Sequence, residues 1–323
     1  MAAALWPSVA AGFKMLDNGC SWYETNRLGG CVRLETPRPE CLRSAERAAQ
    51  RRGGEEAVDR PHALAIIMPY RGTGGVSDLQ GLCANLPAHL ESQHIRHRLY
   101  LVRQVDDLPF NRGALVNAAV RLLTHGQPGE AQAAAHRFEF DYLAVHDIDR
   151  FPVGASGSQS IRAAACSNAS SEYYRFPHPR PRVLHPLSFA GGVLVVQLSQ
   201  YEAVNGFSNE YWGWGEEDND LFLRLRWCGW APQHGRELES CMEHRDCVMC
   251  KRQKQTLDPE RLREHERRAK GQLERPDQHL RPNFDGIFTV NYSLVGRSRK
   301  RCGEHGVNIL SVELHGSAQA TEV

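Results

Sequence analysis

The chain has no excess of either charge: 39 Lys and Arg stand against 38 Asp and Glu in 323 residues, a formal net charge of +1. Proteins that grip a polyanion concentrate basic side chains on one face or tilt the whole balance, so nothing in the composition points to nucleic acid as a partner. No stretch approaches the ~20 apolar residues needed to cross a bilayer, and no internal repeat is present. The first 13 residues are mildly apolar, yet they hold Pro7 and have neither a basic flank nor a small-residue cleavage site, so they do not read as a signal peptide.

What is present is enough for one large domain or two small ones, with ample core. Ten cysteines fit a secreted or lumenal protein, and Cys20, Cys31 and Cys41 are placed to staple the N-terminal segment. Asn168-Ala169-Ser170 and Asn291-Tyr292-Ser293 match the N-glycosylation pattern. Residues 1–60 read as a poorly ordered lead-in or stem, with 38–60 either a short exposed helix or a linker. A globular domain is expected over 61–315, followed by a tail at 316–323.

Order begins at Ala63-Leu64-Ala65-Ile66-Ile67-Met68, a continuous apolar run ended by Pro69. Such a run reads as a strand buried on both faces. A helix is expected over 78–90 with Ser77 as its cap, then a strand at 98–102, a helix at 111–123 and a strand at 138–145. Ala190-Gly191-Gly192 reads as a turn feeding a buried strand at 193–196. This alternation predicts an α/β fold, a doubly wound and mostly parallel sheet. Ligands in such sheets sit beyond the C-terminal strand ends, where Pro69-Tyr70-Arg71 and Asp147-Ile148-Asp149 fall. Residues 150–184 read as a polar surface loop. The charged, helix-favouring stretch within 245–285 is open to two readings, a mobile lid and a plain solvated helix.

The densest chemistry lies in Glu210-Tyr211-Trp212-Gly213-Trp214-Gly215-Glu216-Glu217-Asp218-Asn219-Asp220-Leu221. Glycine lets the backbone approach a ligand, tryptophan offers a face for a sugar ring, and carboxylates grip hydroxyls or take a proton from one. A turn opening an acidic helix accounts for the same letters. Cys241-Met242-Glu243-His244 leads into Cys247 and Cys250, which reads either as a compressed zinc knot or as disulfides among Cys241, Cys247, Cys250 and Cys228.

The Trp-Gly-Trp-Gly-Glu-Glu-Asp stretch, together with Asp147-Ile148-Asp149, Phe110-Asn111-Arg112, Pro69-Tyr70-Arg71 and Phe189-Ala190-Gly191-Gly192, resembles the inverting β-1,4-galactosyltransferase family. The likeness is greatest to its proteoglycan-linker branch, which adds galactose to xylose, and it runs from about residue 63 to 313. It implies a fold of the GT-A nucleotide-sugar transferase type and Mn²⁺ as cofactor. The donor would be UDP-galactose, the acceptor a glycan or glycoprotein. Pro69, Tyr70, Arg71, Phe110, Asn111, Arg112, Asp147 and Trp214 would then bind the donor, with Tyr70 packed on uracil and an Arg fork on the diphosphate. Gly215, Glu216, Glu217 and Asp218 would line the acceptor, with Asp218 the general base. Asp149, His244 and Met242 would hold Mn²⁺; a thioether is an unusual partner for it, which leaves room for Glu243. Family members are Golgi enzymes held by an N-terminal anchor, and this chain would meet the membrane only through an anchor not visible in it.

Two departures concern the sugars. Phe189 stands where many galactose enzymes carry Tyr, and the segment around Leu184-His185-Pro186 shows no counterpart of the tyrosine the linker branch uses. UDP-N-acetylgalactosamine as donor and N-acetylglucosamine as acceptor therefore remain open, as does a non-catalytic sugar- or zinc-binding module.

Overall fold

A computed structural model describes residues 24–25, 31–32, 37–51, 61–72, 76–126, 139–152, 173–177, 179–184, 190–234, 242–244, 259–275, 277–281, 284–302 and 304–316. Two short strands, β1 (Glu24–Thr25) and β2 (Cys31–Val32), pair antiparallel ahead of the main body. Helix α1 (Pro39–Arg51) follows. The body is an eight-stranded mixed sheet. It contains β3 (Ala63–Arg71), β4 (Arg96–Gln104), β5 (Tyr142–His146), β7 (Arg182–Val183), β8 (Val193–Gln197), β9 (Gln233–His234), β11 (Tyr292–Cys302) and β12 (His305–Leu314), in the order β11-β12-β4-β3-β5-β8-β7-β9. The run β12-β4-β3-β5 is parallel throughout. Antiparallel partners β11 and β8 flank it.

Strand β3 is central because its sequence allows burial on both faces. Ala63, Ala65 and Ile67 enter one apolar cluster, while Leu64, Ile66 and Met68 enter the other. The ladder from β3 to β5 ends at Ile67, before Pro69, which has no N–H to donate. One face is covered by α3 (Arg112–Thr124), α4 (Leu198–Ala203) and α5 (Glu217–Trp227). The other is covered by α2 (Val76–Ser92) through Leu82, Leu86 and Leu90. A final helix, α6 (Pro259–Glu274), packs beside α5. Outside the sheet, β6 (Arg150–Pro152) pairs antiparallel with β10 (Met242–His244).

Five sequence expectations change. Of the two readings of 38–60 the helix holds, as α1, but it is not wholly exposed: Cys41 and Ala48 are buried, and Cys41 forms a disulfide with Cys228 across 187 residues. Arg38 anchors its start, with its backbone N–H on the Cys228 carbonyl and its guanidinium 4.7 Å from the Trp227 ring centroid. That bond removes Cys228 from any pairing with Cys241, Cys247 or Cys250, which lie outside the described residues. A second disulfide, Cys83–Cys302, ties α2 to β11.

Helix α2 opens at Val76, so Ser77 sits inside its first turn instead of capping it. The described end of 150–184 is no surface loop. Tyr173 and Tyr174 are buried, and the Tyr142 and His146 side chains of β5 bond to Tyr174. These aromatic side chains find partners in the sheet that a polar neighbourhood hides. Finally, the charged stretch is not a plain solvated helix, since His265 and Ala269 of α6 are buried. Among the described residues no helix is long and apolar enough to cross a membrane.

Candidate active site

The C-terminal ends of β3, β4 and β5 lie side by side, and the segments predicted to bind a nucleotide sugar extend from them. Beyond β4, Gln104 and Asp106 latch the chain into position for α3. The Gln104 amide nitrogen donates to Asp106 Oδ1 at 2.7 Å and to the Pro109 carbonyl at 3.0 Å, and Gln104 Oε1 accepts from the Asn111 N–H at 2.9 Å. Asp106 also accepts from the Leu314 N–H at 2.8 Å. Asn111 then caps α3: its Oδ1 accepts from the Ala114 N–H at 2.9 Å and its Nδ2 donates to the Asn209 carbonyl at 2.6 Å. Neither Gln104 nor Asn209 stood out in the sequence.

Arg71 is spent on this turn. Its guanidinium donates to the carbonyls of Leu108 and Asp106. The Tyr70 hydroxyl donates to the Gly72 carbonyl. Pro69 closes the group at the strand end, and Phe110 packs against the α3-side core.

Arg112 sits at the centre of the site. It is 9% exposed, with Nη2 3.1 Å from Asp147 Oδ1 and Nη1 3.9 Å from Glu217 Oε1. Burial opposes its charge, but Asp147, Glu217 and Asp218 outweigh that and raise its pKa. Nε donates to Asp147 Oδ1 at 3.2 Å and Nη2 pairs with the same oxygen, which leaves the buried Nη1 without an acceptor at hydrogen-bond distance among the described residues. Buried donors are normally satisfied, so Nη1 is the one suited to an oxygen-rich ligand.

The carboxylates respond to the same enclosure. Glu217 is pushed up to about 8, first by burial and then by the Asp218 charge, with Arg112 pulling the other way. Asp218 is also raised, chiefly by burial, with Arg112 opposing and Asp147 adding. Glu216 is raised by burial while its carboxylate accepts from Asn219 Nδ2 at 2.8 Å.

The small turn before β8 joins the two acidic segments. The Asp147 N–H donates to the Gly192 carbonyl at 3.0 Å, and the Ala190 N–H donates to the Asp218 carbonyl at 3.2 Å. Asp147 and Asp218 thus flank one turn. Asp149, 6% exposed, follows one residue before β6. In the β6–β10 register His244 is opposite Arg150 and Met242 opposite Pro152, which brings His244 beside the Asp149 segment. The side chains of Met242, Glu243 and His244 lie outside the described residues, as do Phe189 and the cysteines of the zinc alternative.

The Trp–Gly stretch is a tight loop with positive φ at Gly213 (96°), Gly215 (107°) and Glu216 (73°). The first two are where glycine costs nothing; Glu216 holds a left-handed conformation that carries strain. The Gly213 N–H donates to the Phe110 carbonyl at 2.7 Å, which ties this loop to the donor segment. Trp214 is 42% exposed, and α6 lies against the loop, with a Cβ on Gly213 meeting Arg261 and one on Gly215 meeting Leu262. Glu217 and Asp218 then open α5, where the helix dipole favours negative charge. Asp220 belongs elsewhere. It is buried against Arg224 at 2.5 Å and accepts from the Tyr211 hydroxyl, so Asp220 belongs to a core ion pair while Asp218 stays with the Arg112 cluster.

Residues 30–156 match the family model described as the N-terminal region of glycosyl transferase group 7, and residues 174–244 match that described as the N-terminal domain of galactosyltransferase. The xylosylprotein 4-beta-galactosyltransferase of Caenorhabditis elegans is 26% identical over 266 residues, covering 79% of this chain and 79% of that protein. The beta-1,4-galactosyltransferase 7 of Homo sapiens is 26% identical over 267 residues, covering 83% and 72%. A crystal structure of a Drosophila beta-1,4-galactosyltransferase 7 mutant in complex with manganese, UDP-Gal and xylobiose superposes with a TM-score of 0.57 at 23% identity, covering 79% of this chain and 95% of that one. The overall architecture is therefore of the same GT-A kind.

Proposed function

We propose, since the chain belongs to the β-1,4-galactosyltransferase family, that it transfers galactose from UDP-galactose to xylose of a proteoglycan linker with inversion, forming a β-1,4 bond. The observation that carries the reading is the buried Arg112, which binds Asp147 on one side and faces the Glu217–Asp218 pair on the other. A cation between two acidic segments, with Nη1 still without a close acceptor, fits the junction of a diphosphate and the acceptor it reacts with.

In this reading Asp218 takes the proton from the acceptor hydroxyl as that oxygen attacks the anomeric carbon, and UDP departs on the opposite side. Glu217 holds acceptor hydroxyls, and Gly215 and Glu216 shape the wall beside them. Arg112 steadies the charge growing on the leaving diphosphate; Arg71, committed to the Asp106 and Leu108 carbonyls, instead fixes the turn beneath the nucleotide. Tyr70, Pro69, Phe110 and Asn111 form the nucleotide side, and Trp214 covers the donor sugar. Alignment of both sugars supplies much of the acceleration.

Asp149 and His244 suit Mn²⁺, which takes carboxylate and imidazole ligands, and the β6–β10 register that draws their segments together supports the set, with Met242 its weakest member. When bound, the ion supplies positive charge against the phosphate oxygens. Helix α6, resting on Gly213 and Gly215, serves as the lid over the Trp214 loop. The domain runs over 61–315 with α1 fastened to it. A Golgi lumen placement agrees with two disulfides that join residues 187 and 219 apart.

UDP release from UDP-galactose, with and without Mn²⁺, against a xyloside and an N-acetylglucosaminide tests the reading. Mn²⁺-dependent release with the xyloside is expected. Release with the N-acetylglucosaminide alone would move the enzyme to another acceptor, and release with neither would remove the transferase reading.

A further inference from the structure

A cavity of about 260 Å³ lies at the start of the Trp–Gly loop, lined among others by Trp212, Glu210, Thr289, Asn291 and His315. It is separate from the Arg112 cluster: Ala114 lines it, and Ala114 points about 200° around α3 from Arg112. Among the described residues no Lys or Arg lines it, and its described lining carries the Glu210 and Asp285 carboxylates, a poor fit for an anion. Trp212 gives it an aromatic wall and Glu210 a carboxylate, while the Thr289 hydroxyl is held by Gly286 and Phe284 and the His315 ring by the Ser293 hydroxyl at 2.8 Å; an aromatic wall with polar neighbours suits a neutral saccharide. Its volume falls just under the ~300 Å³ at which ligand pockets begin, the scale of a single sugar.

One wall is Asn291, the exposed first residue of Asn291-Tyr292-Ser293. We propose that Asn291 carries an N-linked glycan whose first N-acetylglucosamine seats in this cavity against Trp212. In the modification the Asn291 amide nitrogen bonds to the anomeric carbon of a lipid-diphosphate-linked oligosaccharide. The amide gives up a proton, and the lipid diphosphate leaves. Asn291 immediately precedes β11, whose outer edge has no strand partner among the described residues. A glycan there also shields that edge from pairing with another chain.

The test uses the full chain behind an added cleavable secretion signal, expressed in cells that keep N-glycans in the oligomannose form. PNGase F should increase gel mobility, and Asn291→Gln or Ser293→Ala should abolish that part of the shift while Asn168→Gln leaves it. A wild-type glycoform pattern in Asn291→Gln overturns the site. Endoglycosidase H leaves the first N-acetylglucosamine in place, whereas PNGase F removes it and leaves Asp. The trimmed protein should therefore keep the Tm of the untreated one, while Asn291→Gln, free of that added charge, should melt about 2–4 °C lower, as should the PNGase F product. Equal melting of the trimmed protein and Asn291→Gln would overturn the seat. Neither outcome depends on transferase activity, so it stands or falls apart from the catalytic reading.

Discussion

Replacing Arg112 by Ala is the perturbation that probes both the packing and the chemistry of the site. The guanidinium is 3.1 Å from Asp147 and 3.9 Å from Glu217. At an effective dielectric of about 20 these contacts correspond to about 5 and about 4 kcal/mol before desolvation is counted. Desolvation offsets much of that, but removing one partner leaves the carboxylates behind, which costs about 3–5 kcal/mol for a buried pair. The Asp147 side chain is 34% exposed and regains water, so the lower end applies. About 3 kcal/mol lowers Tm by about 6–12 °C in a domain of this size. Loss of the charge-assisted bonds to the diphosphate, about 1.5–3 kcal/mol, weakens UDP binding by about 10- to 150-fold. Arg112→Lys separates the two effects, since it keeps the charge but not the planar fork; its Tm should recover partly while UDP binding stays weak. Melting curves and calorimetric UDP titration read both quantities. A wild-type Tm in Arg112→Ala would refute the buried-pair argument, and an unchanged UDP affinity would refute its place at the diphosphate.

Asp218→Asn should leave UDP binding intact and cut transfer by about 10²–10⁴-fold or more; unaltered turnover removes Asp218 as base. Because burial raises the Asp218 pKa, transfer should fall as pH drops through a limb above the ordinary carboxylate range. In Arg112→Ala that limb should move to higher pH, since the charge favouring the carboxylate is gone; a shift the other way contradicts the assignment. His244→Ala should raise the Mn²⁺ concentration needed for half-maximal rate, and a superimposable titration would count against it. Cys41→Ser opens a link across 187 residues, and should cost about 2–5 kcal/mol, read as an early loss of α1 in hydrogen exchange; identical melting with and without reductant would contradict that.

The parts legible in the sequence were those with local physical signatures. The apolar run 63–68, short and ended by proline, reads as a strand buried on both faces, and Gly213 and Gly215 occupy backbone angles that favour glycine. Asn111 at the mouth of α3 is the cap its residue type favours. What stayed hidden depends on partners distant in the chain. Asp106 reaches the Leu314 N–H from 208 residues away, and Cys41 reaches Cys228 from 187. Tyr174 lies in a polar stretch, yet its hydroxyl meets the buried His146 ring at 2.8 Å. Asp218-Asn219-Asp220 looks like one acidic motif, but helical geometry turns Asp220 to Arg224 four residues on and leaves Asp218 with the Arg112 cluster. Glu216 at φ 73° gave no warning at all, because nothing about glutamate favours that conformation.

The most direct test of the account is the identity of the product. Incubated with UDP-galactose, Mn²⁺ and a xyloside, the protein should yield a disaccharide whose proton NMR spectrum, taken before any scrambling, shows a β-galactosyl residue on xylose O4. An α-linked galactose would contradict the single displacement driven by Asp218, and free galactose with no disaccharide would contradict the acceptor site beside it.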